Sequence, residues 1–554
     1  MPAETVAELL AARAGDDHPG LLFDDERYSW DDVVRAGAVR AALARELQPM
    51  DRPFHIGVLL ENVPEYLFWI GAAAFSGAAV VGINPTRRGA ELAADIRHTD
   101  CALIVTDRRH SSLLDGLDLD VDTERTLVVD EPPYAASLMP YSHAAVPTEF
   151  PPPGSMLLLL FTSGSTGAPK AVVCSQGRLA AIGDRASQML GTGRETVLYE
   201  SMPLFHGNAL MANWAPALAM GATVALRTRF SASGFLPDVR KFGATYFNYV
   251  GRSLAYVLAT PERPDDADNP LRLGFGTEAS APDMERFATR FGCRILENYG
   301  SSEGAITISK APGTPPHALG VPPPGLEVAV YDPETRRECA RARFDAHGGL
   351  ANPDDAIGEI VSLNSAPSFE GYYKNADADA DRVRDGVFWS GDLGYRDEEG
   401  FFYFAGRGSD WLRVDSENFA AAPIERILAN LAGVVMCAVY PVPDPRTGDQ
   451  VMVALELSPG AEFHAGELDA FLAGHPDLGT KWAPRFVRIT ASIPLTASNK
   501  VHKPPLRREA WDTAEPVWWK PSPGEPYRRL TAEDVAMLRA EFEQHGRAHL
   551  VSAQ

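Results

Sequence analysis

Cysteine is scarce and scattered: Cys101, Cys174, Cys293, Cys339 and Cys437 are five in 554 residues, an odd number with no C-x-x-C pair. That argues against a disulfide-stapled scaffold and gives no footing to a zinc or dithiol-redox centre. It predicts a reducing, cytoplasmic setting. Positive charge is also in deficit. With 51 Lys and Arg against 74 Asp and Glu, the formal net charge is −23, which disfavours nucleic acid or an anionic membrane as a partner held by bulk charge. Any anionic ligand then needs a local site. The opening MPAETVAELLAARAGDD lacks a basic segment leading into an apolar one, so no secretory signal is read. The longest apolar stretch, YLFWIGAAAFSGAAVVGI at 66–83, is interrupted by Gly71, Ser76 and Gly77. It reads as a buried helix and then a short strand, not as a membrane span. No internal repeat of roughly 20 to 50 residues is visible.

What is present is the composition of a globular protein, 45% hydrophobic and 23% charged, in a chain too long for a single core. Amphipathic helical segments alternate with short β-branched runs such as FHIGVLL, ALIVTD, TLVVD, TVALRT and CRILENYG. This predicts an α/β class with largely parallel sheets, whose ligand loops lie at the carboxyl ends of strands. Between Gly320 and Gly406 the pattern turns β-rich, as in GLEVAVYD, GEIVSLNS and GFFYFAGR. After FAGRGSDW a separate α/β pattern starts, with helix APIERILANL, strands VVMCAVYPV and QVMVALEL, and helix HAGELDAFLAG. The boundary is set at Arg407-Gly408-Ser409, giving a large N-terminal domain over 1–408 and a small C-terminal α+β domain over 409–554. Ser409, flanked by Gly408, suits a hinge that absorbs a backbone rotation. Near the end, Thr531 and Asp534 suit an N-terminal helix cap and Gly546 a stop, marking a packing helix.

The stretch LLLLFTSGSTGAPKAV at 157–172 runs an apolar strand into glycines, hydroxyls and one lysine. Backbone N–H groups and hydroxyls in such a turn can surround an anion. The Walker template G-x-x-x-x-G-K-[ST] fails here, because Gly167 is followed by Ala168, Pro169 and Lys170. Pro169 lacks an N–H and favours an extended predecessor, so the lysine follows a turn and does not open a helix.

FTSGSTGAPKAV resembles the signature loop of the adenylate-forming superfamily of acyl-CoA synthetases, luciferases and peptide-synthetase adenylation domains. Further motifs follow in that family's order: SMPLFHGNAL, GFGTEASAPDMERF, ENYGSSEG, WSGDLGYRDEEGFFYFAGRGSD, SDWLRVDSEN and IPLTASNKVHKPPLR. The resemblance implies that Thr162, Ser163, Gly164, Ser165, Thr166, Gly167 and Lys170 hold the ATP phosphates. It puts Gly276, Thr277, Glu278, Asn298, Tyr299, Gly300 and Ser301 around the nucleotide, with Tyr299 on the adenine. Ser302 would touch the α-phosphate, Glu303 would bind Mg²⁺, and Asp392 and Arg407 would take the ribose. His206, Tyr249, Gly251 and Gly276 would shape the acyl site. Lys500 would be the catalytic lysine, and Arg413, Ser416, Glu417 and Asn418 would lie on the loop lining the coenzyme A tunnel. Activation of a carboxylic acid needs such a set, since the poor leaving group is replaced by AMP before a thiol attacks. SDWLRVDSEN is especially similar to the fatty-acid-transport and very-long-chain branch and to actinobacterial long-chain or steroid-acid CoA ligases. The expected substrate is therefore a bulky apolar acid, whether long-chain, steroid or terpenoid, as in a diterpenoid-antibiotic pathway.

Several positions depart from the family pattern. Ser416 and Asn499 stand where glycine is common, Ser302 replaces threonine, and Thr277 and Ala171 also differ. They leave open an enzyme of one half-reaction, supplied with acyl-adenylate by a partner ligase, and a non-catalytic adenylate binder. Gly300-Ser301-Ser302-Glu303-Gly304 also satisfies the hydrolase elbow G-x-S-x-G, but β-branched AITISK follows where a helix is required. A homodimer is compatible with the sequence and not required by it.

Overall fold

Contacts divide the chain into two units, Met1–Ala305 with Pro367–Asp381, and Ile306–Ala366 with Arg382–Gln554. The computed structural model describes residues 3–551 apart from 163–169, 251–252, 278, 280, 312, 316, 346–349, 408–410, 415–416, 446–448, 476–481, 497–499, 523 and 546; the side chains of residues 407, 411, 413, 417–420, 423 and 549 also lie outside the description.

The first unit holds two α/β sheets. One runs in the order Thr126–Val128, Cys101–Thr106, His55–Leu59, Ala79–Gly82, Met156–Thr162 and Lys170–Ser175. Its pairings are parallel except the last, an antiparallel hairpin. Leu157, Leu158, Leu159 and Leu160 are all buried, as the unbroken apolar run requires of a sheet covered on both faces. In the other sheet Arg294–Gly300, Leu273–Thr277, Tyr246–Val250, Val197–Glu200, Thr223–Leu226 and Pro19–Phe23 are parallel neighbours, and Glu26–Ser29 closes the edge antiparallel. The stretch at 66–83 forms helix Pro64–Ser76, which stops at Gly77 with φ 80°, and then strand Ala79–Gly82. Glycine ends it because that left-handed conformation carries no Cβ penalty there. Among the described residues no helix is long and apolar enough to cross a membrane.

In the second unit Val328–Tyr331, Gly358–Ser362, Val387–Arg396 and Val383–Arg384 form an antiparallel sheet, with Phe402–Arg407 paired to Val387–Arg396. The expected β-rich stretch thus forms. Trp411–Val414 and Glu417–Ala420 make a two-stranded hairpin where the sequence suggested a loop. A further sheet runs Val434–Pro443, Asp449–Leu457, Phe486–Thr490, Val517–Trp519 and Arg528–Arg529, with helices Ala421–Leu428 and Ala465–Ala473 supplying core residues Ile424, Leu428, Leu468 and Leu472. Helix Ala532–Gln544 starts with a capping box between Thr531 and Asp534. The boundary read at 408/409 falls within this unit, on residues outside the description.

Candidate functional site

In the first unit the carboxyl ends of Val197–Glu200, Tyr246–Val250, Leu273–Thr277 and Arg294–Gly300 share one edge of a parallel sheet. That edge gathers the segment leading to His206, then Tyr249, Gly276 and Thr277, and finally Asn298, Tyr299 and Gly300 with the following Ser301, Ser302 and Glu303. Parallel strands with helical crossovers place loops there as a matter of topology.

Of the stretch read as a phosphate loop, the two ends are described. Thr162 and Lys170 lie opposite each other in the Met156–Thr162/Lys170–Ser175 hairpin, and Thr162 Oγ1 donates to the Lys170 carbonyl at 3.5 Å. Lys170 therefore opens a strand, as Pro169 predicted. Its Nζ lies 5.8 Å from the centre of the Tyr372 ring, within cation–π range. Ser163, Gly164, Ser165, Thr166 and Gly167 lie outside the described residues, as do Gly251, Glu278, Ser409 and Ser416.

The turn after Gly300 is braced on several sides. Gly304 donates its N–H to the Ser301 carbonyl at 3.0 Å and has φ 71°. Arg178, on helix Gln176–Leu190, donates from Nη2 to the Ser302 carbonyl. A Cβ at Gly304 would run into the same guanidinium. Glu303 is buried at 6% exposure, and the hydroxyl of Tyr372 donates to its Oε1 at 2.6 Å. Tyr372 comes from a segment that joins the edge of the first sheet, where Tyr373 N–H donates to the Ala171 carbonyl at 2.8 Å and Val173 N–H to the Gly371 carbonyl at 3.0 Å. Tyr372 and Arg178 were not among the residues singled out from the sequence.

His206 precedes the short helix Gly207–Ala209, after which Leu210–Trp214 is a π-helix, a wide turn that recurs at functional sites. A Cβ at Gly207 would stand 2.9 Å from Ser302 Oγ. A side chain at this position would have to displace that hydroxyl. Gly276 is likewise fixed by space: it pairs with Tyr249, and a Cβ there would lie 2.6 Å from Tyr249 Cγ. Tyr249 itself is buried and its hydroxyl donates to the Leu296 carbonyl at 3.2 Å. Burial pushes that phenol well above its usual pKa. The expected acyl-site tyrosine is thus packed against the strand glycine with its polar end already partnered.

Beneath the His206 segment lies a buried polar network that sequence reasoning missed. Glu200 is 0% exposed; its Oε1 accepts from Met202 N–H at 2.7 Å and Asn248 Nδ2 at 3.3 Å. Its Oε2 and the Oδ1 of Asn213 have no hydrogen-bond partner among the described residues. Asn213 donates to Asn248 Oδ1, and Asn248 to Asn208 Oδ1, each at 2.8 Å. Desolvation drives the Glu200 pKa well upward. The one signal for it in the sequence is a carboxylate ending an otherwise apolar strand.

Asp392, Arg407, Lys500, Arg413, Glu417 and Asn418 belong to the second unit. Asp392 stands directly across the hairpin from Arg407. Its backbone is held locally: Asp392 N–H donates to Ser390 Oγ at 3.1 Å, Ser390 Oγ donates to the Ile360 carbonyl at 2.6 Å, and Gly391 N–H donates to Glu359 Oε1 at 2.5 Å. Arg413 pairs with Asn418, and Val414 with Glu417, across the two-stranded hairpin. Lys500 closes a tight reversal in which Thr496 N–H donates to its carbonyl at 2.7 Å and Lys500 N–H donates to Thr496 Oγ1 at 3.1 Å. Three residues on, Lys503 is buried and pairs with Glu425 Oε1 at 2.9 Å, anchoring the segment to helix Ala421–Leu428.

Among the described residues no group of three His, Cys, Asp or Glu could form a metal cage. Mg²⁺ does not require one, since it is commonly bound by one or two carboxylates together with water and substrate phosphate oxygens. Buried Glu303 beside the phosphate-loop hairpin suits that mode.

Comparison with known proteins gives a consistent result. Residues 9–373 match the family described as AMP-binding enzyme, and residues 423–500 match the AMP-binding enzyme C-terminal domain. The chain is 54% identical over 548 residues to a steroid-22-oyl-CoA synthetase of Rhodococcus jostii, covering 98% of each chain. It is 45% identical over 514 residues to the medium/long-chain-fatty-acid–CoA ligase FadD17 of Mycobacterium tuberculosis, covering 93% of this chain and 98% of that one. The fold is similar to that of an anthranilate CoA ligase, AuaEII, in complex with anthranoyl-AMP, with TM-score 0.77 at 19% identity over 90% of this chain and 96% of that one. ATP-bound MatB from Rhodopseudomonas palustris aligns with TM-score 0.77 at 22% identity over 90% of this chain and 98% of that one.

Proposed function

The chain belongs to the AMP-binding enzyme family, and from that premise we propose an acyl-CoA ligase that takes a bulky hydrophobic carboxylic acid, of steroid, long-chain fatty or terpenoid class, through an acyl-adenylate to its CoA thioester. One observation carries the nucleotide half of this reading: a buried Glu303 held by Tyr372, with Lys170 over the same ring. The sustained identity to steroid-acid and long-chain-acid ligases supports the substrate class.

In the first step a carboxylate oxygen forms a bond to the α-phosphorus of ATP while the bond to pyrophosphate breaks. Thr162, the residues 163–167 and Lys170 hold the phosphates, Ser302 donates toward the α-phosphate, and Lys500 offsets the charge that develops there. Tyr299 receives the adenine and Asp392 with Arg407 the ribose. Mg²⁺ bound by Glu303 and phosphate oxygens would neutralise the departing pyrophosphate. In the second step the CoA sulfur bonds to the acyl carbon, the bond to AMP breaks, and the thiol proton is released. His206 lines the acyl site, and Arg413, Ser416, Glu417 and Asn418 lie along the path of the thiol. Ser409 serves as the hinge between a domain over 1–408 and one over 409–554. Preorganised donors and charges of this kind account for most of the acceleration such a site can deliver.

The test follows both steps in one preparation: pyrophosphate release from ATP with steroid, long-chain and terpenoid acids, and acyl-CoA formation by mass spectrometry from free acid or synthetic acyl-adenylate. Pyrophosphate and acyl-CoA from the free acid are the expected result. Acyl-CoA from the adenylate alone would reduce the enzyme to thioesterification with a partner ligase upstream, and neither product would overturn the proposal.

A further inference from the structure

Glu303 and its neighbours are held by residues that lie far away in the chain. Arg178 Nη1 donates to the Val173 carbonyl at 2.9 Å while Nη2 takes the Ser302 carbonyl. Glu370 Oε2 lies 3.8 Å from Arg178 Nη1 and accepts from Ser175 N–H at 2.7 Å. Two residues later Tyr372 reaches Glu303. Its ring is 3% exposed and packs with Val172, Ala378 and Phe369, and its own N–H donates to Asp379 Oδ1 at 2.7 Å. Phenol, ring and backbone are therefore each engaged.

We infer that Tyr372 is a positioning residue for nucleotide activation: its hydroxyl fixes the Glu303 carboxylate and its ring face seats the Lys170 ammonium, so that carboxylate and ammonium are presented in one arrangement. This rests on the reading that Glu303 serves the metal and Lys170 the phosphates of ATP. A donor on one carboxylate oxygen restricts rotation of the group. Outer partners of this kind orient the groups that do the binding. The contact with Glu303 belongs to the hydroxyl. Phenylalanine at 372 keeps the ring, its apolar neighbours and the face beneath Lys170, and removes only the donor.

The experiment compares wild type, Tyr372→Phe, Glu303→Gln and the double variant. Binding of α,β-methylene-ATP, which cannot yield pyrophosphate, is followed by calorimetry across a Mg²⁺ series, and the two half-reactions are assayed separately. Tyr372→Phe is expected to raise the Mg²⁺ concentration needed for half-maximal analogue binding by roughly 10-fold or more, the usual scale for loss of an outer partner. Adenylation should fall by a larger factor than thioesterification of synthetic acyl-adenylate. In the Glu303→Gln background the same substitution should change Mg²⁺ dependence no further, because the coupled partner is already gone. An unshifted Mg²⁺ series in Tyr372→Phe overturns the inference. So does an equal loss in both half-reactions with a lowered melting temperature, which would assign the phenol to folding alone. If wild-type binding itself ignores Mg²⁺, the reading of Glu303 falls instead.

Discussion

Asp392 and Arg407 face each other across an antiparallel hairpin, fifteen positions apart in the chain and directly paired in register. The intervening turn and the sheet below fix that register, and Glu359 and Ser390 hold the backbone on the aspartate side. In Asp392→Ala the ATP KM should rise by roughly 10- to 100-fold, in keeping with about 1.5–3 kcal/mol for a hydrogen bond to a charged group. Steady-state kinetics with ATP varied at saturating acid and CoA measures it. An unchanged KM would remove Asp392 from ribose recognition.

Lys500 sits on a reversal pinned by Thr496 and by the pair of buried Lys503 with half-buried Glu425. Lys500→Ala should therefore leave the local fold in place while adenylation falls about 100- to 1,000-fold, the scale for removing one preorganised donor. Thioesterification of synthetic acyl-adenylate should fall far less. Equal losses in the two assays would contradict an adenylation role for the lysine.

Gly276 has no room for a methyl group, since a Cβ would stand 2.6 Å from the Tyr249 ring. Gly276→Ala should cost about 1–3 kcal/mol through overpacking, read as a lower midpoint in denaturant. Because Tyr249 is displaced, turnover of the bulkiest acids should drop more than that of smaller ones. A variant of wild-type stability would mean that the two paired strands can shift apart, because the Tyr249 carbonyl oxygen blocks the same space as its ring.

Glu200 gives a pH signature. Burial raises its folded pKa well above that of the unfolded chain, so from near pH 4.5 upward the unfolded chain has released a proton that the native protein keeps. Stability attributable to this group is fully present below that pH and is lost as pH rises toward the folded pKa, by about 1.4 kcal/mol per pH unit. Glu200→Gln can still accept from Met202 N–H and Asn248 Nδ2, and it removes the titration. The variant should gain stability relative to wild type as pH is raised from 5 to 7. Parallel stability curves for the two proteins over that range would show that Glu200 ionises in the native state.

The α/β class with largely parallel sheets and the strand-end loops were legible because local rules write them plainly. LLLLF can only be an interior strand, Pro169 keeps Lys170 off a helix start, and the DEEG turn between Asp392 and Arg407 spells a hairpin. The nucleotide roles rest on resemblance, residue by residue. Tyr372 was not, because its partner lies 69 positions away and EGYYKN carries no periodicity that points to a carboxylate. Arg178 reads as one more charged helix residue until the turn after Gly300 is placed against it. The strands 411–414 and 417–420 are too short to show a period of their own in the sequence, and they rest on the core in which Leu412 is buried.

The first unit is not a continuous stretch of chain. Residues 367–381 return to it after 306–366 have gone into the other unit, and they bring Glu370, which accepts from Ser175 N–H, Tyr372, which holds Glu303, and Tyr373, whose N–H takes the Ala171 carbonyl. On the ribosome, where domains form as they emerge, this unit cannot finish until part of its neighbour has been made. A chain stopped after residue 305 would lack the partners that 367–381 bring to the strand edge Lys170–Ser175 and to the Glu303 carboxylate, so nascent chains of intermediate length carry the edge most open to mispairing.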